Sequence, residues 1–371
     1  MTAAAGGGAV AARACDACLR RAALVAALAG RLDVEWRRRD AASRVLALPD
    51  EELLAVGTKA VRVRHERFDA ALPRAVAARA GVVLVCRCSP EYPVRLRALP
   101  DPPAVLHVLG DPGVLDVPDA VAIVGARRAT PYGLDVSRAL GRGLSRAGVP
   151  VVSGLALGID AAAHDGALEG AARPVAVLAA APDVPYPARH RRLHAAVAER
   201  GAVVSELPPG SSAFRWCFVA RNRIVAALAQ VVVIVEAAER SGSLTTADFA
   251  ADLGCTVAAV PGRVTNRTAA GTNALIQSGA ALVRDAGDVL DLLAEATGSP
   301  RRCAPARPPA PPDLAPELLA LLAAVEEGRG ALGELAADAE EARAVLAGLG
   351  ELEFRGLIRR TFGGRYEPAA R

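Results

Sequence analysis

The chain has 371 residues, 52% of them apolar, and a formal net charge of +4 at pH 7. This length and apolar content predict a soluble, globular protein with one large domain and one or two small ones. The small net charge excludes attraction of nucleic acid by a chain-wide excess of positive charge, so any such binding must come from a local patch.

Residues 1–10 lack the basic segment and following apolar segment of a secretory signal. The most apolar run, Ile224 to Val235, is shorter than the roughly 20 residues of a membrane span and is interrupted by Gln230. We therefore expect a cytoplasmic protein that has no membrane partner.

Cysteines form two close pairs, Cys15-x-x-Cys18 and Cys86-x-Cys88. The total of seven is odd and does not indicate a disulfide framework. The two pairs together offer four thiolates to zinc, but they lie far apart in the sequence, and buried free cysteines are common. Reduced thiols without a metal or other cofactor are the default expectation, and metal binding by these pairs remains an open alternative.

Residues 1–78 are predicted to form a small helical domain of the helix-hairpin type. Leu and Ala recur at helical spacing from Leu19 to Leu32, and Pro49-Asp50-Glu51-Glu52 is a typical helix start. Residues 48–57 resemble a helical hairpin unit that contacts DNA backbones, but the match is degenerate, and packing or contact with a partner is the favoured role.

Short apolar runs indicate the next domain, residues 79–297. The run Val82–Val85 predicts a strand at its edge. From residue 121 on, β-branched runs alternate with amphipathic stretches, a pattern typical of a parallel sheet covered on both faces by helices. We predict a Rossmann-like, doubly wound α/β domain with a mainly parallel sheet. Its predicted strands are Val121–Val124, Val149–Val152, Val175–Leu178, Ala202–Val204, Val231–Val235, Val257–Val260 and Ala281–Val283.

The Pro- and Ala-rich residues 298–312 predict a stiff, extended linker. Beyond it, residues 313–371 predict three helices followed by a two-stranded hairpin, which is a winged-helix signature. The third of these helices carries four glutamates against the single basic residue Arg343, namely Glu340, Glu341, Glu351 and Glu353. Such an acidic face favours a protein-interaction or auxiliary role over reading of a DNA groove.

The loop after the first parallel strand contains Gly125, Arg127 and Arg128 but lacks the Gly-x-Gly-x-x-Gly spacing of dinucleotide-binding proteins. NAD and FAD are therefore not expected. Gly125 allows a tight turn, and Arg127 is placed to extend a guanidinium over the edge of the sheet.

After the second parallel strand, Ser153, Gly154 and Gly158 open a helix and are predicted to form an anion cradle. Asp160 is interpreted as the N-cap of this helix, with catalysis as the alternative. His164, one turn further on, is interpreted as a packed histidine, again with catalysis as the alternative.

Tyr186 and the basic run Arg189-His190-Arg191-Arg192 follow the third parallel strand. An aromatic ring beside positive charges suits single-stranded nucleic acid, whose bases stack while its backbone follows a basic groove. A solvated helix start is the alternative for Arg191 and Arg192.

Residues 221–279 hold the densest group of candidate ligand contacts, each at a predicted junction of strand and helix, where open α/β sheets bind ligands. Carboxylates at Glu206 and Glu236 are expected to orient the arginines, and a general base is the alternative. The candidates in this stretch are Arg221, Asn222, Arg223, Ser241, Gly242, Ser243 and Asn273.

These residues also carry a family resemblance, which spans residues 90–290. The motifs around Gly125, Ser153–Asp160, Asp183–Pro187, Ser205, Arg221–Ile224, Glu236, Ser241–Leu244, Pro261–Gly262 and Gly271–Asn273 resemble those of the DNA-processing protein A family, DprA or Smf. The chain departs from the family pattern at Ala179–Pro182 and at Trp216–Ala220.

The resemblance implies a dimeric, cytoplasmic protein that binds single-stranded DNA, protects incoming DNA and loads RecA onto it during natural transformation. It also implies that Gly125 and Arg127 line the DNA pocket, with Arg221, Asn222 and Arg223 at or beneath it. A nucleotide-processing enzyme of the lysine-decarboxylase-like phosphoribohydrolase type is the alternative, with Glu236 as the essential carboxylate.

We therefore predict a binding protein with no catalytic residue. The predicted DNA- or phosphate-binding residues are Gly125, Arg127, Arg128, Ser153, Gly154, Gly158, Arg221, Asn222, Arg223, Ser241, Gly242, Ser243 and Asn273, and the predicted supporting residues are Asp160, His164, Ser205, Glu206 and Glu236.

Overall fold

The computed structural model describes residues 14–35, 45–116, 118–298, 314–336, 338–361 and 364–368. The chain divides into two compact units, Met1–Ala304 and Pro305–Arg371. Apart from Gly298, the predicted linker lies outside the described residues. The domain boundaries predicted at residues 78, 297 and 312 stay predictions.

The first unit contains a nine-stranded sheet. Its strands are β1 (Val82–Cys86), β2 (Val105–Gly110), β3 (Val121–Val124), β4 (Val151–Ser153), β5 (Val175–Leu178), β6 (Ala202–Ser205), β7 (Val231–Ile234), β8 (Thr256–Ala259) and β9 (Ala281–Leu282). The spatial order is β1-β2-β6-β5-β4-β3-β7-β8-β9, in which β3 to β9 are parallel and β1 and β2 pair antiparallel at one edge. The predicted doubly wound, mainly parallel sheet is confirmed.

Helices connect the strands and cover the sheet. Before β1 come α1 (Asp16–Glu35), α2 (Asp50–Ala55), α3 (Lys59–Glu66) and α4 (Ala71–Arg79), and α5 (Val94–Arg97) lies between β1 and β2. One helix follows each strand from β3 to β9: α6 (Pro131–Arg146), α7 (Ile159–Ala167), α8 (Arg191–Arg200), α9 (Arg215–Ala227), α10 (Leu244–Asp252), α11 (Ala270–Gln277) and α12 (Ala286–Thr297). None of the helices in the described ranges combines the length and the apolar character that crossing a membrane requires.

Both faces of the parallel sheet are buried. Successive side chains of a strand point to opposite faces, and in β3 they belong to two different apolar clusters. Val121 and Ile123 pack in one cluster, whereas Ala122 and Val124 pack in the other. Burial on both faces explains why these strands consist almost entirely of Val, Ile and Ala.

The direction of the winding reverses between β3 and β7. From β3 the chain continues outward through β4 and β5 to β6, and then returns to β7, which pairs with β3 on its other side. The helices that leave β3 and β7 therefore diverge to opposite sides and open a crevice at the carboxyl ends of these two strands. Such a reversal point is where open α/β sheets bind ligands.

The predicted N-terminal helices are present and pack against the sheet domain within the first unit. Leu24 and Leu28 of α1 share an apolar cluster with the buried Trp216 of α9. The Trp216 indole Nε1–H donates a hydrogen bond of 2.9 Å to the carbonyl of Ala29. Helix α1 therefore holds the outer face of α9, whose other side faces the crevice.

The second unit has its own small core. It consists of α13 (Pro316–Glu326), α14 (Leu332–Leu335) and α15 (Ala339–Phe354), followed by the antiparallel strands β10 (Ile358–Arg360) and β11 (Tyr366–Pro368). The core of this unit includes Leu322 of α13, Leu349 of α15 and Tyr366 of β11. Three helices and a hairpin occur in the predicted order, while the winged-helix assignment itself stays a prediction.

Candidate nucleic-acid interface

A cavity of about 560 Å³ opens at the carboxyl ends of β3 and β7, and we call it the reversal-point cavity. Its walls come from the loop after β3, from α9 and from the segment that joins β7 to α10. The predicted residues that line it are Gly125, Arg127, Arg128, Asp160, Arg221, Asn222, Ser241, Gly242 and Ser243.

Arg221 places a positive charge in the wall of this cavity. Its side chain extends from α9, is buried, and donates a hydrogen bond of 2.6 Å from Nη1 to the carbonyl of Val177. Its Nε is buried and has no hydrogen-bond partner within the described structure. Burial lowers the pKa of Arg221. The positive charge of Arg127 lowers it further, whereas the Asp160 carboxylate raises it. A buried guanidinium that retains an unused donor is suited to an anionic ligand.

Asp160 organises the loop after β4 around Arg221. Its Oδ2 accepts hydrogen bonds from the backbone N–H groups of Gly154 at 3.1 Å and Ala156 at 3.4 Å. Burial raises the pKa of Asp160, whereas the Arg221 charge and these hydrogen bonds oppose the shift. The N-cap interpretation was wrong, because Gly158 is the N-cap of α7 and Asp160 lies within the helix.

Two glycines permit the close approach of this loop. A Cβ at Gly154 would lie 1.7 Å from Nη1 of Arg221, so no larger residue fits beside the guanidinium as it stands. Gly158 has φ +78°, and a Cβ there would lie 2.3 Å from the carbonyl oxygen of Ala126. Gly154 lines a second, smaller cavity of about 70 Å³, which also contacts Arg127 and Arg221. Gly158 lines neither of these two cavities. Its role is to allow the backbone conformation of the loop.

Aromatic rings support the exposed Arg127. Its guanidinium lies 4.8 Å from the ring centre of Phe218, and the ring of Tyr186 lies 5.4 Å from that of Phe218. Tyr186 is 46% exposed, so one side of this pair remains open to solvent. We did not select Phe218 from the sequence, although a helix places it one turn before Arg221 and Asn222, and therefore on the same face.

The opposite wall is a polar turn tied to α9. Asn222 Nδ2 donates hydrogen bonds to the carbonyl of Gly242 at 3.1 Å and to Oγ1 of Thr245 at 2.8 Å. The hydroxyls of Ser241 and Ser243 lie 2.7 Å apart. These contacts hold the turn against α9 and direct small polar groups to the cavity.

Arg223, in contrast, does not line the cavity. It is buried at the other side of α9, where its Nε donates to Asp101 at 2.9 Å and its Nη2 to Glu206 at 2.9 Å. Although burial disfavours the cation, the two carboxylates raise its pKa. The prediction that Glu206 orients Arg223 agrees with this geometry, but Arg223 offers no contact to a ligand in this cavity.

Glu236 also lies outside the cavity and orients neither arginine. It is buried, and its carboxylate accepts hydrogen bonds from the backbone N–H of Thr130 at 2.8 Å and from the Thr130 hydroxyl at 2.5 Å. Thr130 is the N-cap of α6. Glu236 therefore fixes the start of the helix that follows the Arg127 loop.

The remaining predicted residues support the surrounding loops. Ser153 is buried and donates to the carbonyl of Ile123 at 2.6 Å, and Ser205 accepts from the N–H of Leu207 at 3.0 Å. Asn273 forms two hydrogen bonds with the backbone of Gly262. His164 is fully buried, and burial lowers its pKa to about 4, so it is neutral at physiological pH. None of these four residues lines the reversal-point cavity.

Comparisons with known proteins find relatives of the sheet domain. The family model described as DNA recombination-mediator protein A matches residues 83–294. The chain is 47% identical over 201 residues to DprA sequences of two Mycobacterium tuberculosis strains, a match that covers 54% of this chain and 51% of those proteins. The chain thus spans about half the length of these relatives. It is also 37% identical over 238 residues to the Bacillus subtilis DNA processing protein DprA, covering 64% of this chain and 80% of that protein.

Two solved structures share this fold. DNA processing protein A from Streptococcus pneumoniae matches with a TM-score of 0.61 and 31% identity, covering 74% of this chain and 95% of that one. DNA processing protein A from Helicobacter pylori, described as having a unique single-stranded DNA binding mode, matches with a TM-score of 0.51 and 33% identity, covering 55% and 93%.

Proposed function

Because the chain belongs to the DNA recombination-mediator protein A family, we propose that it binds single-stranded DNA at the reversal-point cavity without catalysing a reaction on it. The observation that carries this proposal is the buried Arg221 guanidinium in the cavity wall, with an unused donor, together with the exposed Arg127. These two arginines form a local positive patch at the edge of the sheet. A chain with little net charge needs such a patch to attract nucleic acid.

The walls of the cavity match the parts of a DNA strand. Arg127, Arg128 and Arg221 supply charged donors for phosphate oxygens. The open side of the pair formed by Tyr186 and Phe218 offers a surface on which a base can stack. Because phosphate contact and stacking depend little on base identity, we expect binding of single strands of any sequence.

We extend the proposal to the pathway and the partners. The protein protects incoming single-stranded DNA and loads the recombinase RecA onto it during natural transformation, and it acts in the cytoplasm as a homodimer. The family assignment and the motif resemblance support this part. The similarity to the Helicobacter pylori protein, which binds single-stranded DNA, supports the choice of ligand.

The geometry favours binding over the phosphoribohydrolase alternative. That mechanism needs the Glu236 carboxylate at the substrate, whereas both of its oxygens accept hydrogen bonds from Thr130 and the residue does not line the cavity. These hydrogen bonds fix the carboxylate at the start of α6, outside the cavity in which a substrate would bind.

Fluorescence anisotropy of a labelled single-stranded oligonucleotide tests the proposal. We expect the variant Arg127→Ala to lose about tenfold or more in affinity, because it removes a charge-assisted phosphate contact. Binding by the wild type should weaken steeply as salt rises, since each neutralised phosphate releases counterions. A duplex competitor should displace the strand poorly.

Arg284→Ala is the matched control. Arg284 is also exposed, but it does not line the reversal-point cavity, and it pairs with Asp288 at 2.8 Å. We expect its removal to leave the affinity unchanged. Equal affinity of the Arg127→Ala and wild-type proteins at moderate salt would contradict the assignment of the site, and the absence of binding at low salt would contradict the proposed function.

A further inference from the structure

Four cysteines from two distant parts of the sequence meet at the edge of the sheet. We call this group the cysteine cluster, and its members are Cys15, Cys18, Cys86 and Cys88. Their sulfur atoms all lie within 4.8 Å of one another, although about 70 residues separate the two pairs.

The spacing of the sulfurs matches coordination of one metal ion. Four thiolates at about 2.3 Å from a tetrahedral zinc ion lie about 3.8 Å from one another. The Sγ atoms of Cys18 and Cys88 are 3.6 Å apart, and all four sulfurs lie within 4.8 Å of one another. A small contraction of the cluster would therefore complete a tetrahedron.

Local structure explains how the sequence presents these thiols. Cys15 directly precedes α1 and Cys18 lies in its first turn, where the N–H of Leu19 donates to the carbonyl of Cys15 at 3.1 Å. Cys86 ends β1, and the chain then turns through a hydrogen bond from the Ser89 N–H to the Cys86 carbonyl at 2.8 Å. That turn brings Cys88 back towards α1.

Apolar packing alone does not account for the arrangement. Cys18 and Cys86 are buried, as is common for free cysteines, but Cys15 and Cys88 are exposed and still converge on the same point. In addition, the backbone N–H of Cys15 donates to the sulfur of Cys86 at 3.4 Å. Such N–H to sulfur bonds are a usual second layer around thiolate metal sites.

We propose that the cysteine cluster binds one Zn²⁺ ion through four thiolates as a structural site. Four soft sulfur ligands with no place for water are typical of structural zinc and unlike the oxygen sites of Mg²⁺ or Ca²⁺. The site joins the start of α1 to the end of β1 and so fastens the N-terminal helices to the antiparallel edge of the sheet. This role is independent of the reversal-point cavity and of the ligand proposed for it.

Metal analysis of the purified 371-residue chain tests this proposal. Protein prepared under reducing conditions without chelator should contain about one zinc ion per chain, and a thiol-blocking reagent should release it. Replacement of the zinc by Co²⁺ should give the absorption of a tetrahedral cobalt thiolate, with intense sulfur-to-cobalt charge-transfer bands. This second measurement uses the wild-type chain and does not depend on the folding of any variant.

A matched pair of variants locates the metal. Cys15→Ser with Cys18→Ser should abolish zinc binding and lower the melting temperature, because the ion no longer links α1 to β1. Cys255→Ala, which removes a buried thiol outside the cluster, should keep the full zinc content. A wild-type protein free of zinc and without a cobalt thiolate spectrum would overturn the proposal. So would iron in place of zinc, a disulfide within the cluster, or retention of zinc by the double variant.

Discussion

At the scale of single residues, the space beside Arg221 is the most restrictive feature of the site. Gly154 leaves no room for a methyl group, because a Cβ there would lie 1.7 Å from Nη1 of Arg221. In Gly154→Ala the guanidinium must therefore move away from the Val177 carbonyl. We expect a loss of single-strand affinity of about tenfold or more, with a decrease in stability of about 1–3 kcal/mol from overpacking.

Gly242→Ala is the matched control for that variant. Gly242 lines the same reversal-point cavity, but a Cβ added there would meet nothing within 4 Å. We expect this variant to keep its affinity within about twofold and its stability unchanged. Anisotropy titrations and urea unfolding of the three proteins provide the comparison, and equal affinity of the two alanine variants would contradict the role given to Gly154.

The residue types that follow the strands predicted about half of the residues that line the reversal-point cavity. Gly125 and Arg127 follow a buried strand directly, so the topology alone brings them to the ligand-binding edge. The motif Arg221-Asn222-Arg223 was harder to interpret, because residues two apart on a helix face different sides. Only one of the two arginines faces the cavity, and the partner of the other, Asp101, lies 122 residues away in the sequence. Such a distant ion pair leaves no local pattern.

At the scale of elements, the start of α6 supports the Arg127 loop. The Thr130 hydroxyl accepts from the Gly133 N–H at 3.2 Å and donates to Glu236 at 2.5 Å. Thr130→Val keeps the shape of the side chain but loses both bonds and leaves the buried Glu236 oxygen unpaired. We expect it to lower the free energy of unfolding by about 1–3 kcal/mol.

Thr130→Ser retains the hydroxyl and should remain within about 0.5 kcal/mol of the wild type. Urea unfolding followed by tryptophan fluorescence measures both differences, because Trp216 is buried against α1. Equal stability of the valine and serine variants would show that the hydroxyl does not hold the start of α6.

The strands of this sheet could be predicted because each is a short apolar run with both faces buried. Val121–Val124 and Val175–Leu178 were predicted to the residue, while β4 begins at Val151, two residues after its prediction. The order of the strands, in contrast, depends on pairings such as β2 with β6, which join residues almost 100 positions apart. No local pattern specifies which edge a strand joins, and the reversal point therefore became visible only in the structure.

At the scale of the whole molecule, buried histidines link the stability of the first unit to pH, and two of them have strongly lowered pKa values. His107 in β2 and His164 in α7 are buried, and burial lowers the pKa of each to about 4. For His164 the positive charge of Arg221 adds to this shift. In the unfolded chain both residues have the ordinary histidine pKa of about 6.5. As pH falls below that value, the unfolded state binds protons that the folded state does not bind until about pH 4.

The free energy of unfolding should therefore fall on acidification from about pH 6.5 to pH 4, by up to about 1.4 kcal/mol per pH unit for each histidine. Glutamine does not titrate, so in His164→Gln the free energy of unfolding should fall less steeply than in the wild type between pH 6.5 and pH 4. Above pH 6.5 the curves of the two proteins should run parallel. Urea unfolding of both proteins at a series of pH values measures the difference. All other titrating groups are common to the two chains, so the difference between the curves isolates His164. Curves that run parallel from neutral pH to pH 4 would mean that His164 is protonated in the folded protein as readily as in the unfolded one.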